Sequence, residues 1–316
     1  MNLDTSPLTS LPVLSLEADP AELARDLGAS FQQFGFAMIK DHGLDAGLVD
    51  RAWAQTQAFF ALPDAQKRAY AIPGIGGARG YTPFRTEIAK GAKVSDLKEF
   101  WHVGRDLPAG HPLAGAMPPN VWPAEIDGFH ETFATLYAGF DQVGARILAR
   151  IAVWLGLDEH WFDSAIADGN SVLRLLHYPP VPGAPDGAIR AGAHEDINLI
   201  TLLLGAEEAG LELLARDGRW IEVSPPPGAL VVNIGDMLQR LTNHVLPSTT
   251  HRVRNPDGAR AGFSRYSMPF FLHLRSDFPF HTLSQCITAE NPDRYPVSIT
   301  ADDYLQERLR EIGLKM

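Results

Sequence analysis

The spacing of apolar residues changes period once along this chain, and that change limits the folds open to it. Before Gly169 apolar residues recur at intervals of three and four, and after it they gather in short runs between Gly, Pro and Asp. A period near 3.6 buries one stripe of a helix, whereas runs of four to eight residues between turn signals bury strands. Leu23, Leu27, Phe31 and Phe34 follow Pro20 and stop at Gly35, which predicts an amphipathic helix over 20–34. Phe36 to Ile39 reads as a short strand, and a second helix is expected from about Asp45 to Leu62, ended by Pro63. From Pro73 to Pro108 the abundance of Gly and mixed charge predicts a long excursion with little regular structure. The longest periodic stretch, Ile126 to Leu157, carries Phe129, Phe133, Leu136, Phe140, Val143, Ile147 and Ile151 on a face that must be buried.

Beyond residue 170 the apolar runs 171–178, 197–204, 211–214, 220–223, 229–233, 251–253 and 264–273 predict an antiparallel sandwich or barrel. The expected architecture is mainly β with flanking helices, an α+β chain whose jelly-roll core is braced by the long helix. Its expected organisation is a helical region over 1–165 packed on the core, a jelly-roll domain over 166–290, and a C-terminal segment, 291–316, with a helix from about Thr300 to Ile312.

Composition removes several classes of function. No apolar run approaches the ~20 residues that span a bilayer, and no basic stretch followed by an apolar one marks an export signal in the first thirty residues, so neither membrane nor secretion is expected. A net charge of -11 repels phosphate backbones, which argues against a nucleic-acid partner. Cys286, the one cysteine, allows no internal disulfide and no multi-thiolate metal site, so a reducing cytoplasm fits and any metal must be held by His and carboxylates. No obligate protein partner is evident.

Within the β half, His194 and Asp196 stand two residues apart ahead of Ile197, Asn198, Leu199, Ile200 and Thr201. On a strand, residues i and i+2 share a face, so the pair offers an imidazole and a carboxylate to one centre. His251 is the expected third ligand. Two His and one carboxylate on one face leave coordination positions open, an arrangement associated with non-haem Fe(II) oxygenases. Fourteen residues later come Arg265 and Ser267, a guanidinium beside a hydroxyl on one face, which makes a fork for a carboxylate. Arg174, Leu176 and Tyr178 alternate onto one face of the earlier run, and Tyr178 can donate to the same ligand. If Tyr178 points inward so does Arg174, and a buried arginine demands an anion, either a protein carboxylate or a substrate group. Residues 79–105, with Arg79, Arg85, Lys90, Lys93, Lys98 and Arg105, are locally cationic in an acidic chain, which hints at an anionic substrate. Phe271 and His273 are further candidates for the substrate pocket, with Phe100 and His102 beside them.

The order His194-x-Asp196, His251, Arg265-x-Ser267, preceded by Tyr178-Pro179-Pro180, resembles the isopenicillin N synthase-like branch of the Fe(II)- and 2-oxoglutarate-dependent oxygenases. The similarity extends to Phe34-Gly35-Phe36, Asp41-His42-Gly43, Phe59-Phe60, Leu62-Pro63, Arg79-Gly80-Tyr81, Asp96, Lys98-Glu99, Gly235-Asp236 and Leu241-Thr242-Asn243. The resemblance implies a double-stranded β-helix, with Fe(II) on His194, Asp196 and His251 and the 5-carboxylate of 2-oxoglutarate on Arg265 and Ser267. It implies a reaction in which O2 and 2-oxoglutarate are consumed, succinate and CO2 are released, and a small organic molecule is hydroxylated, desaturated or cyclised. Leu176 departs from plant members of the family, which commonly carry Asn there. Three other readings stay open at this point: an Fe(II) oxidase of the same fold that needs no 2-oxoglutarate, a jelly-roll sensor that binds metal or ligand without turnover, and a zinc hydrolase on the same triad.

Overall fold

The computed structural model of the chain describes residues 8, 10–87, 95–115, 117–180, 189–205, 210–255 and 262–311. The elements run β1 (Val13–Ser15), α1 (Pro20–Phe34), β2 (Phe36–Lys40), α2 (Ala46–Phe60), α3 (Asp64–Arg68), β3 (Gly80–Thr82), β4 (Glu99–Gly104), α4 (Phe129–Trp154) and α5 (Asp163–Ile166). There follow β5 (Val172–Tyr178), β6 (Ala191–His194), β7 (Ile200–Leu204), β8 (Leu211–Leu214), β9 (Trp220–Glu222), β10 (Leu230–Ile234), α6 (Asp236–Leu241), β11 (His251–Val253), β12 (Arg265–Leu272), β13 (Pro279–Phe280), β14 (Ile299–Thr300) and α7 (Ala301–Glu311). Among the described residues no helix is long and apolar enough to cross a membrane.

Local chemistry explains the best-defined boundaries. Asp19 caps α1 by accepting from the amides of Ala21 and Glu22. Gly35 ends that helix at φ 69°, and a Cβ there would stand 2.2 Å from the Thr249 hydroxyl, so only glycine turns the chain directly into β2.

Eight strands form the main sheet in the order β1-β2-β10-β7-β12-β5-β4-β3, and four form a second sheet, β6-β11-β8-β9. Alternation gives the main sheet two different faces. Trp101, Val103, Leu173, Leu175, Leu202, Val232 and Phe270 point outward into the core shared with Phe31, Phe59, Phe133 and Phe140 of α1, α2 and α4. Phe36, Met38, Phe100, Leu176, Tyr178 and Val231 point inward, where they meet Leu211, Leu213 and Val253 of the second sheet. The result is a jelly-roll core with α4 laid against β4, β7 and β12.

Several expectations are corrected. The excursion expected over 73–108 contains β3 and β4, and β4 is buried on every residue. Its polar side chains hid it: Glu99 faces the helices, where Lys67, Tyr81 and His177 bond to its carboxylate, and His102 faces the opposite way. The segment 1–165 supplies four strands of the main sheet as well as its helices. The run expected from Ile197 begins as a strand only at Ile200. The C-terminal helix starts at Ala301, and Ile312, like Lys90 and Lys93, lies outside the described residues.

Phe140 of α4 stacks on Phe270 of β12, centroids 5.4 Å apart and planes within 4°, and neither is solvent-exposed. Truncation leaves a cavity at the contact that seats the long helix. Phe140→Ala is expected to lower unfolding free energy by about 3–5 kcal/mol, read as a reduced urea midpoint at unchanged slope.

Candidate functional site

His194 ends β6, and its register partner across the second sheet is His251, the first residue of β11. Their rings lie 4.4 Å apart. Asp196 follows two residues after His194, in the connection that leaves the second sheet for β7 of the main sheet. Its carboxylate sits 3.8 Å from Nε2 of His194 and 3.8 Å from Nε2 of His251. The three ligand atoms all lie within 4.8 Å of one another.

Hydrogen bonds set the orientation of both rings. Nδ1 of His194 lies 2.7 Å from the Gly192 carbonyl, and Nδ1 of His251 lies 3.1 Å from the Thr249 carbonyl. A carbonyl only accepts, so each Nδ1 donates there, and Nε2 is the nitrogen of each ring that faces Asp196 and can ligate. Desolvation, with His251 beside it, pulls His194 down to about 4, even though a third of its side chain meets solvent. Burial disfavours an ionised Asp196, but His251, His194 and hydrogen bonds from Asn233 and Thr201 outweigh it and hold this carboxyl below its ordinary range. Two imidazole Nε2 atoms and one carboxylate converging this closely fit a divalent first-row metal, and Fe(II) suits the set.

The main sheet holds the carboxylate. Thr201 of β7 and Asn233 of β10 are register partners, and they donate to the same Asp196 oxygen at 2.6 and 2.8 Å. Asn198 in turn donates to the Thr201 hydroxyl at 3.0 Å. Phe36 of β2 packs against His251 in a T-shaped contact, ring centres 5.5 Å apart. The His-x-Asp pair was expected at the head of a strand; it instead straddles the end of β6 and the crossing between sheets. Thr201 and Asn233 were missed. The available signal was a polar residue on the inward period of each apolar run, Ile200-Thr201-Leu202 and Val232-Asn233-Ile234.

Arg265 and Ser267 are buried on the inner face of β12, and Arg265 pairs in register with Tyr178 of β5, its guanidinium 5.1 Å from the Tyr178 ring centre. Leu176 is the register partner of Ser267. Further along the same face, Arg174 lies between the rings of Phe100 and Phe271, at 4.2 and 5.2 Å. Its Nε donates to Nε2 of His102 at 2.6 Å, His102 carries its own proton on Nδ1 toward the Gly77 carbonyl, and the two Nη atoms lie 3.4 Å from Glu87. The anion that Arg174 requires is therefore present in the protein. His273 is buried two residues past Phe271, and burial pushes it down to about 4. Arg79 is 1% exposed. Arg85 stands apart, exposed at positive φ with its guanidinium over Phe84.

Comparison with known proteins agrees with this geometry. Residues 7–125 match the family model described as the N-terminal region of the non-haem dioxygenase in morphine synthesis, and residues 169–274 match the 2OG-Fe(II) oxygenase superfamily. The chain is 34% identical to the 2-oxoglutarate-Fe(II) type oxidoreductase hxnY of Emericella nidulans over 92% of its own length and 84% of that protein. Among solved structures, a 2OG-Fe(II) oxygenase family protein from Caulobacter crescentus superposes with TM-score 0.90 and 56% identity, covering 97% of this chain and all of that one. A full-length Neurospora crassa protein, solved in complex with alpha-KG and thymine, superposes with TM-score 0.84 and 29% identity over 95% of this chain and 96% of its own.

Thr201 is not itself one of the three ligands, yet it orients Asp196. Thr201→Val keeps the shape of the strand and removes one of the two donors, so Fe(II) affinity should fall roughly 10- to 100-fold by calorimetry, with far-UV circular dichroism unchanged.

Proposed function

The chain belongs to the 2OG-Fe(II) oxygenase superfamily, and on that premise we propose that His194, Asp196 and His251 hold Fe(II) while Arg265, Ser267 and Tyr178 hold the distal carboxylate of 2-oxoglutarate. The observation that carries this reading is the convergence of three ligand atoms, with Nε2 of both imidazoles turned toward Asp196. Bound Fe(II), with 2-oxoglutarate and O2, supplies the oxidation of a small organic molecule with release of succinate and CO2.

The residues of the chain bind, orient and keep water out. Asp196 contributes the negative charge, and Thr201 and Asn233 fix its plane. Arg265, buried between strands, offers a charge-assisted fork to a carboxylate, and the Ser267 hydroxyl beside it adds a donor. Leu176, opposite Ser267, adds packing and no hydrogen bond. Phe36, Met38, Leu176 and Leu213 line the space between the sheets with apolar surface. On the substrate side we place Arg79, Arg174, Phe271 and His273; Arg85 is exposed and outside this group. A cytoplasmic location suits a chain whose one thiol, Cys286, is buried and free, and the net charge of -11 disfavours nucleic acid as a partner.

Anaerobic Fe(II) titration with and without 2-oxoglutarate, followed by visible absorption, tests the assignment. Wild type should develop a charge-transfer band on adding 2-oxoglutarate, and Asp196→Ala should bind Fe(II) far more weakly while remaining folded. Arg265→Gln should need about tenfold more 2-oxoglutarate or higher for the same band, because a charge-assisted bond contributes ~1.5–3 kcal/mol. Fe(II) affinity without 2-oxoglutarate should be little changed in Arg265→Gln. Equal 2-oxoglutarate dependence in wild type and Arg265→Gln would remove Arg265 from the site.

A further inference from the structure

Arg79 is a buried cation that no carboxylate meets in an ion pair among the described residues: Asp106 acts on its charge, but burial outweighs it. Its Nη1 donates to the Ala78 carbonyl at 2.7 Å, and among the described residues neither Nε nor Nη2 has a hydrogen-bond partner. The neighbouring cations differ: Lys98 meets Glu87 at 2.6 Å and Asp96 at 2.8 Å, and Arg174 meets Glu87 and His102. Leaving buried donors unmade is costly, and burial accordingly pulls the Arg79 pKa down.

The position of that guanidinium is set by Gly104. A Cβ on Gly104 would stand 1.8–2.2 Å from the Arg79 guanidinium atoms, so the charge lies on the Cβ side of β4, the side that carries Phe100 and His102. Reading the register across the sheet from Gly104 gives Val172, then Phe271, then Thr201, which holds Asp196. Three strand spacings separate Gly104 from Thr201, roughly 14 Å. Between the two lie the partly exposed apolar side chains of Val172 and Phe271. Nδ1 of His273, two residues beyond Phe271, also lacks a partner among the described residues.

We propose that Arg79 binds the acidic group of the substrate, and that the substrate is a small monocarboxylate whose apolar body lies over Val172 and Phe271 with its reacting end toward His194, Asp196 and His251. This rests on the metal assignment above. Arg174, already compensated by Glu87, is a wall of the pocket.

The test uses enzyme loaded with Fe(II) and 2-oxoglutarate, held anaerobic, and titrated calorimetrically with phenylacetate, 3-phenylpropionate and 4-phenylbutyrate and with the amide of each. Wild type should bind at least one acid about tenfold or more tighter than its amide. Arg79→Met should abolish that preference without lowering the melting temperature, since it replaces a buried charge that has no ion pair by an apolar chain, and Arg85→Met, at an exposed position outside the pocket, should retain the preference. Arg79→Lys, which keeps the charge and loses the fork, should show a reduced preference at unchanged amide affinity, and decides the matter if Arg79→Met fails to fold. A wild type without acid preference, or a preference that survives loss of the Arg79 guanidinium, overturns the proposal. Failure of wild type to bind 2-oxoglutarate would instead refute the metal-site reading, so the two failures are distinct.

Discussion

A buried carboxylate, Asp196, sets the terms for the rest of the molecule. Taking a carboxylate out of water is expensive unless charge and hydrogen bonds replace its hydration. Here Thr201 and Asn233 supply two donors from adjacent strands of the main sheet, while His194 and His251 face it from the second sheet. The two sheets must therefore close on each other at one height. That closure is held from outside by α4, whose Phe140 stacks on Phe270 one residue from Phe271 on the inner face.

Alternation divides the labour of each strand. Along β12, Met268, Phe270 and Leu272 serve the helix-backed core, while Arg265, Ser267 and Phe271 serve the cavity. The same division on β5 puts Leu173 and Leu175 outside and Arg174, Leu176 and Tyr178 inside. Stability and chemistry are thus carried by the same backbone with a period of two, and a register slip of one residue would exchange them.

The inner face gathers positive charge in an acidic protein and then neutralises most of it locally. Glu87 is shared between Arg174 and Lys98, and these cations hold its carboxyl well below the usual range against the cost of burial. Aromatic faces finish the enclosure of Arg174, so its guanidinium is fixed in place. The field that an incoming small molecule meets is consequently set by the few groups left without such partners.

By itself the sequence determined which residues can ligate and which way neighbouring side chains point. The His194-x-Asp196 and Arg265-x-Ser267 spacings, the helix from Pro20 to Gly35 and the long apolar stripe of 129–154 are properties of local period and composition, and they were legible for that reason. Only the tertiary structure decided what could not be local. It turned the polar segment 99–104 into a strand buried on both faces, because partners for Glu99 come from residues 67, 81 and 177. It also carried Asp196 off its strand into the crossing between sheets, set Thr201 beside Asn233, compensated Arg174 with Glu87 and left two nitrogens of the Arg79 guanidinium without a hydrogen-bond partner among the described residues. Strand pairing and charge compensation depend on distances between residues far apart in the chain. No local period encodes those distances; they follow from burying both faces of one sheet at once.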